Sequence, residues 1–91
     1  MAKYVYLSYV MPKPELTNEV FLEKVRPRME NEEVEYLAFG PAIGVQEDYL
    51  HVHSTDLGLK EFMDFRTKAF TVDGKYMIDH ARTITIINYK E

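Results

Sequence analysis

A chain of 91 residues with 46% hydrophobic and 29% charged side chains has the composition of one folded domain, which excludes an extended disordered protein. The formal charge of −4 opposes binding to a phosphate backbone, and the one basic run, Lys24-Val-Arg-Pro-Arg28, is cancelled by Glu30-Asn-Glu-Glu33 directly after it. Without cysteine there are no disulfides, thiolate nucleophiles or thiolate metal sites.

Residues 3 to 11 are rich in β-branched and aromatic side chains and stop at Pro12-Lys-Pro14, which predicts a first strand. Thr17 or Asn18 can cap a helix in which Phe21, Val25 and Met29 recur every four residues and share a face. Pro27 clashes with the carbonyl of Glu23, so a kink or an end is expected near Arg26. Val34 to Phe39 reads as a second strand, closed by Gly40-Pro41 and Gly44, and Asp48 to Ser54 alternates as a third. Thr55 or Asp56 then offers a cap for a second helix whose stripe is Leu59, Phe62, Met63, Arg66, Ala69 and Phe70. Phe65 falls off that stripe. Residues 71 to 81 carry the Asp73-Gly74 turn signal and read as a loop with a short ordered piece around Tyr76 to Ile78. Arg82 to Tyr89 is the closing strand.

The order βαββαβ, with no repeat or linker, predicts one α+β, ferredoxin-like domain over residues 1–91: a four-stranded antiparallel sheet with both helices on one face. No apolar run approaches the ~20 residues of a membrane span, and the N-terminal stretch reads as a strand rather than a leader, so a cytoplasmic protein without a membrane partner is expected.

Alternation divides the strands into two sets. One is aliphatic: Val5, Leu7, Leu50, Val52, Ile84 and Ile86. These are expected beneath the helices. The other holds Tyr4, Tyr6, Ser8 and Val10, then Tyr49, His51 and His53, then Thr83, Thr85, Ile87 and Tyr89. Neither oily nor charged, this set is expected to be covered by a second copy, giving a homodimer. A small-molecule pocket is expected there, lined by Tyr4, Tyr6, Ser8, Tyr49, His51, His53, Thr83 and Thr85.

With those residues, the chain resembles the dimeric α/β-barrel superfamily, in which two ferredoxin-like subunits pack sheet to sheet. Asp48-Tyr-Leu-His-Val-His-Ser-Thr-Asp-Leu57, followed by a helix and the strand Thr83-Ile-Thr-Ile-Ile87, is similar to the ligand-binding domain of leucine-responsive transcription regulators. The entry to the third strand differs: Gly44-Val-Gln-Glu-Asp48 stands where those regulators have Gly-x-Tyr-Asp. The resemblance implies a homodimeric, effector-binding module. Other superfamily members are cofactor-independent monooxygenases and muconolactone-type isomerases, so it also admits an enzyme in which His51 or His53 moves a proton. A purely structural interaction module is the third alternative.

His51 and His53 lie on one strand face with Cβ atoms about 7 Å apart, near enough to share a metal ion only with a third ligand. His80 and Glu35 are the candidates for that ligand, and neither has a spacing that demands it. Asp79-His80 with Ser8 or Ser54 lacks the elbow and oxyanion donors of a catalytic triad. No nucleotide-binding glycine motif occurs, so the expectation is a protein without cofactor or metal whose ligand is a small metabolite.

Overall fold

The computed structural model describes residues 2–89. Strand β1 (Tyr4–Pro12) leads to helix α1 (Asn18–Val25), which tightens into a 3₁₀ turn over Arg26–Arg28. Strands β2 (Val34–Pro41) and β3 (Tyr49–Thr55) follow, then helix α2 (Leu59–Ala69), a two-residue-strand hairpin of β4 (Thr71–Val72) and β5 (Lys75–Tyr76), and β6 (Ile78–Ile87). The main sheet runs β2-β3-β1-β6, antiparallel throughout, so each βαβ unit is split by a strand of the other. No helix among the described residues is long and apolar enough to cross a membrane.

Local chemistry sets the boundaries. The Thr17 hydroxyl accepts the Val20 amide at 3.2 Å and starts α1. Pro27 then ends the α-helical ladder, as expected, and the backbone continues in the tighter turn. For α2 the cap differs from expectation: Gly58 occupies the position and offers no side-chain acceptor. Thr55 instead donates to the Glu33 carbonyl at 2.6 Å and accepts the Leu57 amide, while Asp56 accepts the Lys3 amide. Asp73 (φ 53°) and Gly74 (φ 78°) both take left-handed angles, the requirement for the tight turn joining β4 to β5. That hairpin occupies much of the expected loop, and β6 begins at Ile78, well before Arg82.

The two residue sets hold, but their assignments are exchanged. Tyr6, Ser8, Val10, Tyr49, His51, His53 and Thr55 are buried under the helices, against Phe21, Val25, Met29, Phe62 and Phe70. Val5, Leu7, Leu50, Val52, Ile84 and Ile86 lie on the opposite, open face, where Ile84 and Ile86 are 44% and 48% exposed. The expectation that a second copy covers the tyrosine–histidine face is therefore corrected: this chain's own helices cover it. Two observations account for the exchange. The helices bring aromatic rings, and rings stack on the flat side chains of the polar set; Phe62 lies 4.2 Å from Tyr6 and Phe21 lies 5.3 Å from Tyr49. The α2 stripe also contains Arg66, whose guanidinium needs hydroxyl partners that only the polar set can supply.

Candidate functional site

The buried apolar residues form two clusters, one around Phe21, Val25, Met29 and Phe70, the other around Tyr6, Val34 and Phe62. His51 and His53 join them. His51 packs its edge on Phe70 (5.4 Å) and its face on Phe39 (4.5 Å), while His53 meets Phe62 (5.4 Å) and Phe65 (5.8 Å). Tyr36 stacks against both imidazoles, at 5.8 Å from His51 and 4.8 Å from His53.

A β-bulge in β2 makes this arrangement possible. Tyr36 pairs with His53 and Phe39 with His51, although three positions separate them, because the register shifts between Tyr36 and Ala38. In a regular strand Phe39 would face the other way; the extra residue, Leu37, is left 49% exposed.

Hydrogen bonds orient the rings. His53 Nε2 lies 3.0 Å from the Met29 carbonyl, which can only accept, so Nε2 carries the proton and Nδ1 is a bare acceptor. His51 Nδ1 lies 2.7 Å from the Tyr36 hydroxyl. A phenol is the better donor and an imidazole nitrogen the better acceptor, so the hydroxyl donates to Nδ1 and His51 Nε2 carries the proton. Burial lowers the pKa of His51 to about 3 and of His53 to about 4. Both rings are neutral at neutral pH and are weak bases, better suited to hydrogen bonding than to taking up a proton.

Arg66, on the inner face of α2, is 4% exposed. Its Nη1 donates to the Ser8 hydroxyl at 3.3 Å and to the Thr83 hydroxyl, and Ser8 is the direct register partner of both His51 and Thr83. Among the described residues no carboxylate pairs with it; Glu47 instead pairs with Arg82 (2.8 Å) and is hydrogen-bonded to His80 Nε2 (3.2 Å). Burial lowers the Arg66 pKa. Among the described residues His51 Nε2, His53 Nδ1 and Arg66 Nε, all on the helix-covered side of the sheet, and Glu47 Oε1 are buried without a hydrogen-bond partner. Between the end of α1 and α2, a cleft of about 640 Å³ is lined by apolar Leu57, Phe65 and Ala69 and by charges of both signs, Arg28 and Lys68 with Glu33, Glu61 and Asp64. Phe65, against His53, separates the cleft from the rings.

The expected pocket residues come together in part. Tyr6, Ser8, Tyr49, His51, His53 and Thr83 share the covered interior, where the Tyr6 hydroxyl donates to the Leu57 carbonyl at 2.8 Å. Tyr4 is half-buried at one end, and Thr85 is exposed. Tyr89 is 88% exposed beyond the end of β6. His80 cannot complete a metal site with the histidine pair, since it lies with Arg82 on the opposite face; Glu35, paired with Ser54, faces away as well. Among the described residues no group of three such ligands is placed to hold a metal ion.

Sequence reasoning missed Arg66 and Tyr36 as site residues. A cation between Met63 and Ala69 on an apolar stripe was a usable signal; the role of Tyr36 depends on the bulge and had none. Glu47 was also missed. It is 3% exposed beside the open face, and the hydrogen bond from Arg82 holds its carboxyl below the usual range.

No family model matches the chain, and no curated protein matches it significantly. Among solved structures, it is similar to a dimeric ferredoxin-like protein of unknown function from Thermobifida fusca, at 17% identity and a TM-score of 0.57 over 96% of this chain and 92% of that one. The strand order, the split βαβ units and this likeness together make the chain a ferredoxin-like α+β domain.

Proposed function

We propose that the protein is a homodimer that binds a small polar metabolite between its sheet and its helices. The observation carrying the binding reading is the trio His51 Nε2, His53 Nδ1 and Arg66 Nε, each buried and without a partner. A buried polar atom left unsatisfied costs about 1 to 3 kcal/mol, and a ligand entering through the cleft past Phe65 would satisfy several at once. The resemblance to effector-binding domains agrees with this reading.

The second copy is assigned to the open face. Its central rows, Val5, Leu7, Leu50, Val52, Ile84 and Ile86, carry no charged side chain, and at its edge Arg82 is neutralised by Glu47 and lies 4.4 Å from the Tyr9 ring centroid. An identical aliphatic sheet is a partner of matching chemistry, and the Thermobifida protein is dimeric. Binding is favoured over acid/base catalysis because imidazoles with pKa values of about 3 and 4 are poor proton acceptors at neutral pH.

The test is an NMR titration of the protein against a panel of small metabolites. The expected outcome is ligand-induced shifts centred on His51, His53, Arg66 and Phe65. Shifts confined to the open face, or none across the panel, would defeat the binding reading.

A further inference from the structure

The two outer strands of the sheet treat their free edges differently. On β2 the outward amides of Val34 and Tyr36 are already taken, by the Asn31 side chain at 2.9 Å and the Glu30 carboxylate at 3.3 Å, and the bulge at Leu37 interrupts regular pairing. β6 has no such protection. It runs in unbroken register with β1 from Ala81 to Ile87, without proline, lysine or bulge in that stretch, and among the described residues no other strand pairs with it. Asn88 donates its amide to the Lys3 carbonyl at 2.8 Å, so by alternation Thr83, Thr85 and Ile87 turn their amides and carbonyls away from β1. Nor does α2 shield this edge, since Thr85 and Ile87, on the helix side of the sheet, are both exposed. Ile84 and Ile86 are exposed on the other side. Four successive uncharged β-branched residues, open on both faces along an edge that no described strand pairs, form a template for another strand.

We infer that this edge pairs with the β6 edge of a second copy, antiparallel about a two-fold axis at Thr85. The sequence matches itself there. Ile84-Thr85-Ile86 reads alike in both directions, so Ile84 meets the partner's Ile86 on the open face while Thr83 meets the partner's Ile87 on the helix side. Thr85 exchanges both backbone bonds with its equivalent on the axis, and Thr83 and Ile87 add the flanking pairs, about six hydrogen bonds in all. No charged residue lies between Thr83 and Ile87, so no like charges oppose each other across the axis, and Arg82 at one end is held by Glu47. A foreign extended segment would find the same backbone groups, but a second copy also matches the side chains on both faces. The edge contact is separate from the stacking of open faces: its axis runs through the sheet, whereas a face-to-face axis lies parallel to it. Perpendicular two-folds are those of a four-subunit assembly, in which β6 joins one face-to-face pair to another.

The experiment combines sedimentation velocity over a concentration series with amide hydrogen exchange on the full chain, for wild type, Thr85→Pro and Thr85→Lys. Proline removes an amide that faces away from β1, and lysine sets like charges opposite each other on the axis. Thr85 is exposed and points away from the open face, so both changes spare the face-to-face pair. Wild type should form a species larger than that pair as concentration rises, with slowed exchange at Thr83, Thr85 and Ile87. Both variants should weaken this step about 10- to 100-fold, the worth of two backbone hydrogen bonds. Stacking of open faces gives those three amides no acceptor and would leave them exchanging fast. Fast exchange at all three in the most concentrated sample, or variants that assemble as wild type does, would overturn the proposal. A wild-type dimer that Thr85→Lys converts to a monomer would uphold the edge contact and defeat the open-face assignment instead. If Thr85→Pro does not fold, the Thr85→Lys comparison decides alone.

Discussion

At the residue scale, the site consists of side chains whose hydrogen-bonding capacity exceeds what the fold uses. His51 and His53 are the clearest case, because burial in an aromatic environment keeps them neutral far below the usual imidazole range. The consequence for stability has a definite sign. Below about pH 6.5 the unfolded chain takes up a proton at each histidine and the folded chain does not, so stability falls by about 1.4 kcal/mol per pH unit for each ring. That loss continues until the pH approaches about 4 for His53 and about 3 for His51. Urea unfolding from pH 7.5 to 4.5 should show this slope, and His51→Phe should remove one proton's share of it. An unchanged slope in that variant would mean that the ring titrates normally. The histidine pair was legible in the sequence as a candidate. Its neutrality was not, because the desolvation that produces it comes from Phe39, Phe70 and Tyr36, distant in the chain.

At the scale of elements, the strand and helix order was readable because periodicity and punctuation are local: Thr17 caps α1, Pro27 ends it, and Asp73-Gly74 turns the hairpin. The bulge in β2 was not readable, since nothing in Val34 to Pro41 marks one residue as extra. It yields a specific expectation. Deleting Leu37 leaves Tyr36 and Phe39 two positions apart and on the same side as before, so the variant should fold at a cost within the ~0.5–3 kcal/mol of an ordinary substitution. Deleting Val52 from the central strand β3 would instead send the remainder of that strand to the wrong face and should abolish folding. Circular dichroism melts of the two variants make the comparison, and equal damage in both would contradict the assignment of Leu37 as the inserted residue.

At the scale of the molecule, the sheet has one face closed by helices and one aliphatic face that is open in the single chain. If a second copy closes it, a charge placed at its centre must break the pair, because the charge would be buried without a partner. Ile84→Glu should therefore sediment as a folded monomer at concentrations where wild type sediments as a dimer. A variant that remains dimeric, or a wild type that stays monomeric throughout, would remove this face as the interface. Dissociation should leave the interior around Arg66 intact, since the two lie on opposite sides of the sheet.

What the sequence determined by itself was the order of elements and the division of each strand into two sets, because both follow from spacing along the chain. Which set the helices would cover was decided only in three dimensions. The aliphatic set is the more hydrophobic, but the helices carry Phe21, Phe62, Phe70 and Arg66, and these need rings to stack on and hydroxyls to engage. Covering one side of a sheet is a matter of complementarity between two surfaces, and no ranking of one surface alone contains it.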